Sequence, residues 1–166
     1  RVVRFDNRDV GLSSKLDHLG VPNIPLEFAR FMMRLPVRAP YLIDDMARDT
    51  AALIDALGLG RPHVVGASMG GMIGQHFALA APQRLRRLVI ANSTSRIPPE
   101  AGPLWDERIA IARAQGSAGV VEGTLARWFT PGFREACPQA VARIAALIRN
   151  TPAAGYIGCA GAIRGL

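Results

Sequence analysis

The segment His63–Gly71 constrains the fold of this chain more than any other stretch of its sequence. It begins with apolar residues, passes through a turn of small residues that centres on Ser68, and continues into a run typical of a helix. Gly66 and Gly70 stand two residues before and two residues after the serine. In this setting the pattern Gly-x-Ser-x-Gly predicts a strand, a sharp turn and the start of a helix.

The sequence around this segment alternates between strand and helix patterns. The predicted elements are, in chain order, strand 1–6, helix 41–59, strand 63–67, helix 69–80 and strand 87–91. Gly60 is expected to occupy the C′ position after the first helix. Because such alternation is typical of a parallel sheet with crossover helices, residues 1–95 are assigned to an α/β core.

The remainder of the chain follows a different pattern. Pro98, Pro99 and Pro103 mark a linker, and every apolar periodicity beyond it is helical. Residues 96–166 are therefore predicted to form a helical insertion on the core. The segment 7–40 has little periodicity and many turn formers, and its length favours either a functional loop or a loop with short helical turns.

Ser68 is the candidate catalytic residue. A serine hydroxyl is a weak nucleophile unless it is held exposed where a base can reach it, and a tight strand-to-helix turn does this in a strained backbone conformation. Gly66 and Gly70 are expected to keep side chains out of the crowded turn. The N–H group of Met69 is the expected donor to the negative charge that develops on an attacked carbonyl oxygen.

Two other interpretations of the segment compete with a nucleophile. A glycine-rich turn with a serine that caps the helix involves no chemistry. A dinucleotide-binding loop requires the order Gly-x-Gly-x-x-Gly, which the segment lacks. The apolar strand before Ser68 and the helix after it favour the nucleophile.

Composition and charge limit the other classes of function. The net charge is +7, and Lys15 is the only lysine among 20 basic residues. The arginines are scattered without interleaved aromatic residues, so a solvated surface explains them and no nucleic-acid partner is expected. Apolar runs are too short for a membrane helix, and Cys137 and Cys159 lack the spacing of a metal site. We expect no metal, no organic cofactor and no membrane partner.

Two further groups of residues have both a functional and a structural interpretation. Trp105 and Trp128 are candidates for the lining of a substrate pocket, although aromatic residues at helical spacing suit a core equally well. Asp6, Arg8 and Asp9 suit an ion pair at a pocket edge. For these three residues a structural loop clamp is favoured, because turn residues commonly bond to their own backbone.

On these motifs the chain resembles the α/β-hydrolase superfamily. The similarity covers residues 1–95 and is carried by two stretches, RVVRFDNRDVGLS at 1–13 and residues 41–94. The second stretch contains the Gly-x-Ser-x-Gly turn at 66–70, which is called the elbow below. RWF at 127–129 and GYIGCAGAIRGL at 155–166 resemble the 3-oxoadipate enol-lactonases, and FDNRDVGLS is similar to bacterial methylesterases of polyketides. The resemblance implies a partial α/β-hydrolase parallel sheet with crossover helices, followed by a helical cap segment.

The resemblance also implies a function. It points to a cytoplasmic serine hydrolase that acts on small carboxylic esters or lactones through an acyl-enzyme on Ser68. A non-catalytic binding protein on the same fold is an alternative. Cofactor-free perhydrolase or acyltransferase chemistry is another, since it would use the same serine.

The catalytic base is not found where the family order of serine, acid and histidine would put it. His18 and His63 precede Ser68, and His76 lies eight residues along the predicted helix, about 12 Å away at 1.5 Å per residue. Each histidine is therefore expected to be structural. By resemblance, the acid, the base and the second oxyanion donor lie outside the chain, which we expect to be an inactive internal fragment.

This expectation has a structural consequence for the sheet. Strands 63–67 and 87–91 are predicted to pair in parallel. The family strand that separates them from 1–6 is missing, so 1–6 is predicted either to lie one strand away or to pair out of order with 63–67.

Overall fold

The computed structural model describes residues 2–19, 33 and 39–166. Its helices and strands are α1 Ile43–Ala56, β1 His63–Ala67, α2 Met69–Ala80, β2 Arg87–Ala91, α3 Gly102–Gln115, α4 Val121–Trp128, α5 Pro131–Ala136, α6 Pro138–Arg149 and α7 Ala153–Arg164. The described chain divides into two compact units. One holds residues 2–19 and Pro103–Ala160, and the other holds the described residues between 20 and 102 together with Gly161–Leu166. The assignment of 96–166 to a cap stays a prediction.

Strands β1 and β2 form a two-stranded parallel sheet, as the sequence predicted. His63 lies opposite Arg87, and Ala67 lies opposite Ala91. Helix α2, which connects the two strands, packs on the sheet at very short range. A Cβ atom at Gly74 would lie 3.0 Å from Cδ1 of Leu88, so this glycine sets how closely the helix approaches β2.

Helices α1 and α2 pack against each other and hold the core of this unit. Their large buried apolar residues lie on one face of each helix, as an amphipathic pattern requires. These residues are Ile43, Met46, Ile54, Met72, Ile73 and Phe77. The bounds predicted for α2 are confirmed to the residue.

Helix α1 ends earlier than the sequence predicted. Gly58, with φ +59°, occupies the C′ position instead of Gly60. The N–H of Gly58 donates to the carbonyl of Asp55, and the N–H of Leu59 donates to the carbonyl of Ile54. These two bonds form a Schellman motif, which satisfies the last carbonyls of the helix and ends it.

The strand predicted at 1–6 is wrong for its described part, because residues 2–6 lie in no strand. A strand is stabilised by a neighbour that takes its backbone hydrogen bonds. Among the described residues, the sheet contains only β1 and β2. The backbone that follows these residues is held instead by hydrogen bonds to carboxylates. Asp6 accepts from the N–H of Leu12 at 2.9 Å, and Asp9 accepts from the N–H of Leu16 at 3.0 Å. These bonds confirm the loop clamp for Asp6 and Asp9.

The other unit contains most of helices α3 to α7, and the helical pattern predicted beyond the proline linker is confirmed. Two apolar clusters lie among these helices. One contains Ile109, Ala112, Val120, Ile157 and Ala160, and the other contains Val121, Leu125, Val141 and Ala145. Among the described residues, no helix is long and apolar enough to span a membrane. Most of the loop predicted at 7–40 lies outside the described residues.

Candidate active site

Ser68 lies in the turn between β1 and α2 in a backbone conformation that side chains rarely adopt. Its φ is +50° and its ψ is −120°. The residue is exposed, and the strand before it ends one residue earlier. A non-glycine residue in this region stores strain that the surrounding structure must compensate, which is common at functional sites.

Gly66 makes the sharp turn sterically feasible. A Cβ atom at this position would lie 2.1 Å from the carbonyl oxygen of Gly70 and 2.7 Å from the nitrogen of Gly71. The expectation that Gly70 also relieves crowding is wrong, because a Cβ atom there would meet no described atom within 4 Å. Gly71 has the steric role instead, since its Cβ atom would lie 2.6 Å from Cβ of Ser93.

Hydrogen bonds from two elements hold the backbone of Ser68. Its N–H donates to the carbonyl of Ala91 at the end of β2, over 3.0 Å. Its carbonyl accepts from the N–H groups of Gly71 at 2.9 Å and Met72 at 3.2 Å. The Oγ of Ser93 donates to the same carbonyl at 2.7 Å. The turn is therefore fixed both by its own helix and by the neighbouring strand.

Met69 is the first residue of α2, and its N–H is one of those at the start of a helix that have no intrahelical acceptor. This N–H donates to no described residue. Helix α2 has 12 residues, so its dipole favours negative charge at this end. The position agrees with the predicted oxyanion donor, a role that stays a prediction.

The three histidines lie in three different elements of the described chain. Nδ1 of His76 lies 2.6 Å from Oδ1 of Asp44, so this histidine joins α2 to α1. His63 opens β1, and His18 is an exposed residue of a 3₁₀ turn. For His76 the expected structural role is confirmed.

The two candidate pocket tryptophans differ in environment. Trp105 is half-buried against an apolar cluster of α3 and α7, and the guanidinium of Arg108 lies 4.6 Å from its ring centroid. Trp128 is 62% exposed, so its interpretation as a core residue is wrong. The pocket role of both tryptophans stays a prediction.

Tyr156 has a shifted pKa. Burial raises the pKa of its hydroxyl, while the charges of Arg108 and Arg127 lower it to a smaller extent.

The described residues contain no group of three or more His, Cys, Asp or Glu side chains that could hold an ion. The two cysteines are free thiols. The turn itself presents the serine hydroxyl and the N–H groups at the start of the helix.

Comparison with known proteins agrees with this geometry. A family model of the alpha/beta hydrolase fold matches residues 1–164. The 3-oxoadipate enol-lactonase 2 of Acinetobacter baylyi is 34% identical over 124 residues, which are 75% of this chain and 46% of that protein.

Solved structures show the same relationship. A hydrolase from Pseudomonas aeruginosa PA01 superposes with a TM-score of 0.76 at 34% identity and covers 97% of this chain and 52% of its own. The enol-lactonase from Burkholderia xenovorans LB400 has a TM-score of 0.71 at 31% identity and covers 78% of this chain and 49% of its own. The chain thus spans about half the length of these relatives. The matches confirm the predicted fold class.

Proposed function

Because the chain belongs to the alpha/beta hydrolase fold family, we propose that the protein hydrolyses small carboxylic esters or lactones through an acyl-enzyme on Ser68. One observation carries the proposal. The exposed Ser68 is held at φ +50° at the tip of a turn that joins a strand to a helix. This is the geometry that presents a serine hydroxyl to a substrate carbonyl.

The proposed reaction uses the groups of the turn together with a general base. The Oγ of Ser68 attacks the carbonyl carbon while a general base removes its proton, and a tetrahedral intermediate forms. The charge on the former carbonyl oxygen is stabilised by the N–H of Met69 at the positive end of α2. Collapse of the intermediate expels the alcohol and leaves an ester on Ser68, which water hydrolyses to the acid.

The relatives support the class of substrate. Two of the matched proteins are named as enol-lactonases, and one as a hydrolase. A lactone is a cyclic ester, so the same attack opens its ring and leaves the product as one molecule. The proposed reaction needs no metal or organic cofactor.

The test compares serine variants of the protein expressed from its complete reading frame. Hydrolysis of p-nitrophenyl acetate and of a five-membered enol-lactone is measured for the wild type, for Ser68→Ala and for Ser95→Ala. Ser95 is an exposed serine on the loop after β2 and serves as the matched control. We expect Ser68→Ala to lose at least about 10³-fold in kcat and Ser95→Ala to keep the wild-type rate. Equal rates for Ser68→Ala and the wild type would refute the proposal.

A further inference from the structure

We propose that Ser93 is a positioning residue for the oxyanion donor, which it orients and polarises from the back of the elbow. The inference rests on the proposed function, because it gives the N–H of Met69 a transition state to stabilise. The hydroxyl of Ser93 donates to the carbonyl oxygen of Ser68 at 2.7 Å. That carbonyl and the N–H of Met69 belong to one peptide unit.

The shared peptide unit links the two residues physically. A trans peptide is planar, and its C=O and N–H point in opposite directions, so fixing one end fixes the direction of the other. A donor on the carbonyl also draws electron density from the amide and strengthens its N–H as a donor, by the cooperativity of hydrogen-bonded chains. Ser93 therefore acts on the oxyanion through Met69 without touching the substrate.

The bond from Ser93 differs from the others that this carbonyl accepts. The N–H groups of Gly71 and Met72 come from α2 itself, which every helix start supplies. Ser93 comes from the loop after β2, 25 residues away in sequence. Its bond fastens the strained turn to the sheet, so that the peptide plane cannot rotate with the first turn of the helix alone.

The local structure is arranged to admit this side chain. Asn92 has φ +48°, a left-handed conformation that asparagine tolerates, and it turns the chain immediately before Ser93. Gly71 leaves the space that Ser93 fills, since a Cβ atom there would lie 2.7 Å from the Ser93 Oγ. On the other side, Nε2 of Gln75 donates to the carbonyl of Thr94 at 3.0 Å and ties the loop to α2.

The experiment uses a pair of variants that share a shape. Ser93→Thr keeps the hydroxyl and Ser93→Val replaces it with a methyl group, so any packing effect of the larger side chain is common to both. Kinetics with p-nitrophenyl acetate, inhibition by a trifluoromethyl ketone and the ¹H shift of the Met69 amide are measured for both, for the wild type and for Ser95→Ala. Because the amide shift needs no turnover, it reports on Ser93 even if the protein lacks esterase activity.

We expect Ser93→Val to lower kcat about tenfold relative to Ser93→Thr with KM changed less than twofold. This loss is smaller than the 10²- to 10³-fold effect of deleting a direct oxyanion donor. Affinity for the ketone should fall by the same factor, and the Met69 amide should shift upfield. Ser95→Ala should match the wild type in each measurement. Equal kcat values and equal Met69 amide shifts in Ser93→Thr and Ser93→Val would overturn the proposal. Absence of esterase activity in the wild type would overturn only the proposed hydrolase function.

Discussion

Gly66 and Gly70 pass so close to each other that a Cβ atom on Gly66 would lie 2.1 Å from the carbonyl oxygen of Gly70. The contact joins the end of β1 to the first turn of α2, on either side of Ser68. The obstacle is backbone, which cannot move aside as a flexible side chain can. The close approach therefore holds the serine at the tip of the turn.

Replacement of the first glycine should open this turn. We expect Gly66→Ala to lower the free energy of unfolding by about 1–3 kcal/mol, because overpacking against rigid backbone displaces the strand or the helix. The measurement is urea unfolding followed by circular dichroism. Gly70→Ala is the matched control, because its Cβ atom meets no described atom and alanine favours a helix by up to about 1 kcal/mol. A larger loss at 70 than at 66 would contradict the geometry of the elbow.

The packing of α2 makes a second prediction. Phe77 is 1% exposed and Leu79 is 83% exposed on the same helix. Phe77→Ala should cost about 3–5 kcal/mol of stability, because it leaves a cavity in the core. Leu79→Ala should change stability by less than about 0.5 kcal/mol. Thermal unfolding of the two variants checks the difference, and similar losses would show that the face of the helix is assigned incorrectly.

Tyr156 predicts how stability depends on alkaline pH. Burial raises the pKa of its hydroxyl above the ordinary value in the folded protein. The contribution of this raised pKa to folding stability is fully present below the unfolded pKa of about 10. It is lost as pH rises through the folded pKa, because over that range the unfolded chain binds fewer protons than the folded chain. Unfolding free energies between pH 9 and 11 should fall less steeply for Tyr156→Phe than for the wild type. Equal slopes would argue against a raised pKa.

The elements around the elbow were predictable because local sequence signals mark where each element begins and ends. The turn at Ser68 starts α2, and Pro82 disfavours helix in the residue before it, so the predicted range 69–80 was confirmed. The strand at 1–6 was predicted from a short strand-like pattern and from the family resemblance of residues 1–13. Such a pattern cannot supply the neighbouring strand that takes the backbone hydrogen bonds, and residues 2–6 form no strand.

The end of α1 shows the limit of a local signal. Gly58 and Gly60 both have positive φ, and the sequence gives no reason to choose between them as the C′ residue. The C′ residue is decided by which N–H groups reach the last carbonyls of the helix. In this structure the N–H groups of Gly58 and Leu59 donate to the carbonyls of Asp55 and Ile54. The predicted C′ residue is therefore two positions too late, and the predicted last residue of the helix is three positions too late.

The candidate site was predictable in part for the same reason. Ser68 and Gly66 belong to one contiguous motif, so their roles could be read from the sequence. Ser93 could not be found this way, because its bond to Ser68 spans 25 residues and depends on how β2 lies beside β1. The available signal was its position just after the carboxyl end of a strand that neighbours the elbow, where loops of parallel sheets converge on a site.

The central claim is that Ser68 becomes acylated during turnover. The direct measurement is peptide mass mapping of the protein from its complete reading frame, quenched with acid within milliseconds of mixing with p-nitrophenyl acetate. We expect an acetyl group on the peptide that contains Ser68, and none on that peptide in Ser68→Ala. Turnover of the ester with no acetyl group on that peptide, or with the label on another residue, would contradict it.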